Sequence, residues 1–158
     1  RYGEIFPEPQ AVFTDAPVVL GIDGARKMSK SAGNTIPIFA EPDEVRRLVM
    51  SMVTDPLRIK RTDPGRPEVC NVCQLHRFFG GDYLQIQDGE RTARTGCVDM
   101  KRVLADRIVR HYAPARERYL ELQSRPETVD EILAAGAHRL APLASDTMSE
   151  VRQKMGLR

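Results

Sequence analysis

No apolar run in the sequence approaches the ~18–20 residues that a membrane-spanning helix needs. The opening residues, Arg1-Tyr2-Gly3-Glu4, have no apolar core and do not read as a signal peptide. Cysteine is scarce and odd in number, with 3 in the chain, which argues against a disulfide-stapled secreted scaffold. Charge of one sign is also missing. The 24 Lys and Arg stand against 22 Asp and Glu, for a net charge of +2. Bulk charge therefore does not point to nucleic acid; only local patches could. No strand–helix–strand alternation occurs beyond residue 40, which excludes a parallel-sheet core in that stretch. The chain does not begin with Met, and its densest motif falls in the first quarter, so we expect a piece of something larger. We expect a globular protein of the cytoplasm with no membrane partner.

The residues present fit that class. At 158 residues, 41% hydrophobic and 29% charged, the chain has the length of one domain and enough apolar content for a core. The run 16–20, Ala-Pro-Val-Val-Leu, predicts a short strand, and Gly21, Asp23 and Gly24 a turn. Residues 25–38 are small and polar and predict a flexible loop that does not pack. Pro42-Asp43-Glu44 opens a helix with acids in its first turn, where the dipole favours them. Val45, Leu48, Val49 and Met52 give it one buried face, and Thr54-Asp55-Pro56 ends it. Residues 55–67 form a connector. A second helix is predicted from Cys70 to Phe79, stopped by Gly80-Gly81, and then a polar loop over 82–96. Another helix spans about 98–112, and Pro114 opens a further one that breaks near Pro126. The stretch 129–155 reads as two helices hinged near Pro142 or Asp146. The fold class is mainly α.

The informative string is Lys27-Met28-Ser29-Lys30-Ser31. Two lysines three apart on a loop can flank one polyphosphate, each a compact cation on a long stem. Ser29 and Ser31 can add hydroxyl and backbone donors. Ala32 and Gly33 let the backbone approach closely, and Met28 is the apolar anchor beneath. Such a set stabilises charge on a pyrophosphate leaving group through positioned cations, without a general acid or base. The plain alternative is a solvated surface loop, since short motifs recur by chance.

The surroundings carry a resemblance. Residues 27–31 match the second signature of class I aminoacyl-tRNA synthetases. The longer string Gly21-Ile-Asp-Gly-Ala-Arg-Lys-Met-Ser-Lys-Ser-Ala-Gly-Asn-Thr-Ile is similar to the tryptophanyl-tRNA synthetase family. So are residues 49–56, 67–72 and 96–99, and the tail Val151-Arg152-Gln153-Lys154-Met155-Gly156-Leu157. The tyrosyl relatives share the signature and not this tail. The resemblance implies that residues 1–40 end a Rossmann-type nucleotide-binding catalytic domain whose core is largely absent from this chain. Residues 41–158 would be a helical anticodon-recognition domain. It implies ATP with Mg²⁺, tryptophan and tRNA(Trp) as substrates and partners, and a homodimer. Lys27 and Lys30 would stabilise the triphosphate, with Lys30 favoured as the transition-state contact; Ser29 and Ser31 would support the loop and the phosphates, Met28 would belong to the same ATP-binding set, and Val18 would meet adenine through its backbone. The first signature of the class, H-x-G-H, is missing, for the only histidines are His76, His111 and His138. The chain alone is therefore expected to be inactive. The rival reading is a non-catalytic helical module, derived from such a synthetase, that binds RNA or protein.

Cysteines and basic residues remain. Some members of the family hold a [4Fe–4S] cluster in this region, on four cysteines. Here Cys70 and Cys97 sit in matching contexts, Met100 stands where the last cysteine would, and Cys73 is out of pattern. A zinc site from Cys70, Cys73, Cys97 and His76 is conceivable by count. The favoured reading is that the thiols are small buried hydrophobes and that no metal is held. Arg58, Lys60, Arg61 and Arg66 crowd the connector; Arg91, Arg94, Lys101, Arg102, Arg107 and Arg110 crowd the later loop and the helix after it. With few acids nearby (Glu90, Asp99, Asp106), they suggest as a group contact with RNA phosphates. Tyr83, Phe78 and Phe79 could stack on bases, although Phe78 and Phe79 read better as core.

Overall fold

The computed structural model describes residue 3, residues 5–14, residue 16 and residues 18–157. Pro17, in the predicted strand over 16–20, lies outside the described residues. Five helices are described: α1 (Pro42–Ser51), α2 (Asn71–Phe79), α3 (Tyr83–Arg91), α4 (Cys97–Gln123) and α5 (Pro126–Met155). The strand expected before the loop is reduced to one isolated antiparallel pairing, Leu20 with Lys27. Among the described residues the fold is mainly α, as the periodicity indicates.

Packing divides the chain into two compact units, Asp15–Tyr119 and a second made of Arg1–Thr14 with Leu120–Arg158. In the larger unit the core is one cluster. Val45, Val49 and Met52 come from α1 and its end; Cys70, Val72, Cys73 and Leu75 from the start of α2; Met100, Leu104, Ala105 and Ile108 from α4. The α1 residues fall at helical spacing, so one stripe is removed from water while Arg46 and Arg47 stay outside. Val19, Ile22, Ile36 and Ala40 lie against this cluster. The segment 25–38 therefore does pack, contrary to expectation: Ile36 closes on the core and Asn34 is buried.

Three helix boundaries differ from the sequence reading. The polar stretch 82–96 contains α3. It has too few apolar residues to show a period, yet Gly89 and Glu90 are buried in it. Gly89 is required there, because a Cβ would stand 2.4 Å from Thr95 Oγ1. Secondly, α4 runs through Pro114 without a break. Proline removes one backbone donor and crowds the preceding turn, and the remaining ladder carries the helix across. The same holds for α5, which continues through Pro142 and ends at Gly156 in the left-handed region, φ 74°. No residue of α5 is buried, and Ile132, Leu133, Leu140 and Leu143 are all more than half exposed. None of these helices is long and apolar enough to cross a membrane among the described residues.

Candidate functional site

The Lys27–Ser31 string sits on a short hairpin built by its flanks. Met28 N–H donates to Val19 O at 2.9 Å, and Gly21 N–H to Arg26 O at 2.9 Å. Gly24, at φ +65°, closes the tip. Asp23 organises the turn: its Oδ1 accepts the N–H groups of Ala25 and Arg26, each at 3.1 Å. Those two backbone donors, and then the Asn34 amide, hold its carboxyl down at about 2. The loop's far side is a second turn, where Gly33 N–H reaches Lys30 O at 3.1 Å and Gly33 takes φ +65°.

Asn34 joins the two turns. Its Oδ1 accepts Ser29 N–H at 2.9 Å, and its Nδ2 donates to Asp23 Oδ2 at 3.0 Å and to Lys27 O at 3.3 Å. Its own carbonyl accepts Ile22 N–H at 3.0 Å. Beneath, the buried Asn71 at the start of α2 donates to Gly21 O at 2.7 Å, fixing the hairpin to the helical core. Val53 N–H adds a bond to Ile22 O at 3.0 Å.

The predicted site residues fall on this hairpin and the turn after it, with Val18 just before. Lys27 and Lys30 are exposed, and neither ammonium has a hydrogen-bond or ion-pair partner among the described residues. Met28 lines an apolar cavity of about 740 Å³ with Val19, Lys30, Ile36, Phe78 and Phe79. Ser29 departs from expectation. Its N–H is taken by Asn34, and its Oγ lies 3.2 Å from Ser31 Oγ and accepts Ala32 N–H at 3.2 Å. The N–H groups of Lys30 and Ser31 have no such partner among the described residues. Val18 is half-exposed, and its backbone has no backbone partner among the described residues. Gly21, Asp23, Asn34 and Asn71 do not stand out in the sequence as site residues. Asn34 falls within the string that resembles the family, but no period or spacing links it to Asp23 and Ser29.

The cysteines are packed rather than presented. Cys70 and Cys73 are fully buried at the start of α2. Burial, and then the Glu90 carboxylate, push the Cys70 thiol up to about 12, and burial likewise raises Cys73. His76 cannot join them. Its Nε2 faces Met100 O at 3.0 Å and its Nδ1 faces Arg107 Nη1 at 3.2 Å, so both nitrogens are engaged. A four-thiolate cluster does not fit this donor set either. Met100 is a fully buried core residue, and Cys97 sits at the start of α4. Among the described residues no group of three or more His, Cys, Asp and Glu side chains is arranged for a metal ion.

Most of the basic residues already have partners. Arg66 grips the buried Asp55, Arg91 pairs with Glu68, Arg94 with Asp88, and Arg107 with Asp82 at 2.7 Å. Arg58 is itself buried and donates to the carbonyls of Arg61 and Thr95, at 3.1 and 2.8 Å. Lys101 Nζ reaches Met50 O at 2.9 Å. Much of this charge is therefore used inside the helical unit, within the connector, between α4 and the turn before α3, and between α4 and α1. Phe79 packs at the core's edge, while Phe78 stays 41% exposed, so only Phe79 is a core residue.

A family model described as "tRNA synthetases class I (W and Y)" matches residues 1–113. The chain belongs to this family. Within it, the tryptophan–tRNA ligase of Aquifex aeolicus is 42% identical over 159 residues, covering 99% of this chain and 40% of that protein. That of Thermotoga maritima is 38% identical, with 99% and 48% covered. Among solved structures, tryptophanyl-tRNA synthetase from Campylobacter jejuni superposes with a TM-score of 0.75 at 34% identity, covering 99% of this chain and 48% of that one. The same enzyme complexed with ADP and tryptophan gives 0.80 at 33% identity, with 99% and 49% covered. The chain thus spans under half the length of these relatives.

Proposed function

We propose that this chain is the part of a tryptophan–tRNA ligase that carries the triphosphate-handling loop, residues 1–40, and the helical tRNA-facing region, residues 41–158. The observation that carries this reading is the pair Lys27 and Lys30: two unpartnered ammonium groups on a loop whose backbone is held in place. In tryptophan activation the carboxylate of tryptophan attacks the α-phosphorus of ATP. The bond from that phosphorus to the bridging oxygen breaks, and pyrophosphate leaves with the electron pair. Negative charge grows on the β- and γ-phosphates, where fixed cations act most strongly. Lys27 and Lys30 supply that charge, Lys30 nearest the transferring bond, and the open N–H groups of Lys30 and Ser31 add donors. Met28 anchors the loop, Ser29 and Ser31 support it and the phosphates, and the backbone of Val18 meets adenine.

Mg²⁺ enters on the phosphates of ATP and keeps most of its water. The tryptophanyl group then passes to the 3′ end of tRNA(Trp). The basic residues left exposed along the connector and α4 meet RNA phosphate, and two copies of the enzyme pair as a homodimer in the cytoplasm. The test is ATP–pyrophosphate exchange with this chain alone and mixed with a separately made N-terminal half of a tryptophan–tRNA ligase. No exchange alone and restored exchange in the mixture supports the reading. RNA binding by this chain with no rescue supports a non-catalytic module instead.

A further inference from the structure

We propose that Asn34 is the positioning residue of the lysine loop: its side chain sets where Lys27 and Lys30 stand during activation. This rests on the ATP-loop reading above. A polar asparagine in an otherwise open loop is only 3% exposed. Both ends of its amide are used. Oδ1 takes Ser29 N–H, and Nδ2 gives to Lys27 O and Asp23 Oδ2. The amide thus grips the backbone on either side of Met28 and bolts it to the turn at Asp23. It fixes the main chain from which both lysines spring and touches neither ammonium.

The space around Asn34 is made for it. A Cβ at Gly21 would lie 2.1 Å from Asn34 Nδ2 and 2.2 Å from Asn34 Cγ. Gly21 has no positive φ, so the backbone there tolerates alanine. The position excludes any side chain that would displace the asparagine. Gly21→Ala therefore perturbs Asn34 without altering a polar group, and it should reproduce the phenotype of Asn34→Ala. Misplacing a catalytic group by about 1 Å can cost on the order of a hundredfold in rate. Placement that matters chiefly in the transition state lowers kcat rather than raising KM.

The experiment is ATP–pyrophosphate exchange with this chain combined with the N-terminal half, for Asn34→Ala, Gly21→Ala, Asn34→Asp and the double variant Asp23→Asn/Asn34→Asp. Thermal melting is measured on the same proteins. We expect kcat to fall at least tenfold in the first three, with KM for ATP changed less than threefold, and the order of the losses in kcat not to follow the order of the melting temperatures. Asn34→Asp sets two carboxylates face to face; the double variant restores a donor to that contact and should recover part of the loss. Amide exchange at Ser29 in this chain alone should speed up in Asn34→Ala. Unchanged kcat in both Asn34→Ala and Gly21→Ala overturns the proposal. So does a loss that tracks the melting temperature with no recovery in the double variant. Lys30→Ala separates the two readings. If it too leaves exchange intact, the ATP-loop assignment has failed; if it abolishes exchange while the Asn34 variants do not, only the positioning role has.

Discussion

Replacing Asp55 should loosen the connector by an amount the structure allows us to work out. Its carboxylate is 3% exposed and accepts Arg66 Nη2 at 2.6 Å, Arg66 Nε at 3.0 Å, Arg66 N–H at 2.9 Å and Leu57 N–H at 3.0 Å. In Asp55→Ala the half-exposed guanidinium of Arg66 turns to water. The two backbone N–H groups lose their acceptor, and each costs about 1–3 kcal/mol if it stays dry. Leu57 is exposed, so its amide rehydrates in part, and the expected loss is roughly 2–3 kcal/mol. Asp55→Asn keeps an acceptor and should lose about half as much. The pH dependence has a definite sign. Arg66 and the backbone donors hold the Asp55 carboxyl well below the usual carboxylate range. Its contribution is complete above the unfolded value of about 4 and is lost as pH falls through the folded value. Urea unfolding from pH 7 down to pH 3 checks both points: the gap between wild type and Asp55→Asn should narrow at the acid end. A loss under about 0.5 kcal/mol in Asp55→Ala, or a gap that does not move with pH, refutes the argument.

The same packing gives further expected outcomes. His76 must be neutral, since Met100 O can only accept and Arg107 can only donate, and burial first and Arg107 second hold its pKa down. Its contribution is present above the ordinary histidine value of 6.5 and fades below it. The melting-temperature difference between wild type and His76→Ala should therefore shrink from pH 7.5 to pH 5. Leu104→Ala, at a fully buried α4 position, should cost about 2–5 kcal/mol in urea unfolding, whereas Leu143→Ala on the exposed face of α5 should change it by less than about 0.5 kcal/mol. A thiol reagent should label Cys97 first in the native chain, and Cys70 and Cys73 only on unfolding, because burial raises the latter two; mass spectrometry of timed samples reads the order.

Where apolar residues repeat at helical spacing, the sequence is readable. Val45, Val49 and Met52 mark α1, and the pair Gly80-Gly81 marks the end of α2. It is unreadable where the deciding contacts are polar or distant. Helix α3 is held by Glu90 O accepting Gly65 N–H at 2.9 Å and by Thr95 N–H reaching Gly89 O at 3.0 Å, neither of which leaves a period. Pro114 and Pro142 read as breaks because proline costs about 3 kcal/mol within a helix. The long ladders on either side outweigh that cost. At the candidate site, the pair Lys27 and Lys30 stands out in its local string. The clasp does not, because Gly21, Asp23 and Asn34 meet only once the hairpin register is set. The basic cluster is misleading in part for the same reason: Asp55, Glu68, Asp82 and Asp88 are remote in sequence from most of the arginines they hold.

The most direct test is the pyrophosphate exchange rate of the two-part enzyme with Lys30→Ala beside wild type. Two positioned ammonium groups on a clasped loop predict a collapse in kcat of at least about a hundredfold, with the fold intact by circular dichroism. Exchange at the wild-type rate in that variant would contradict the account.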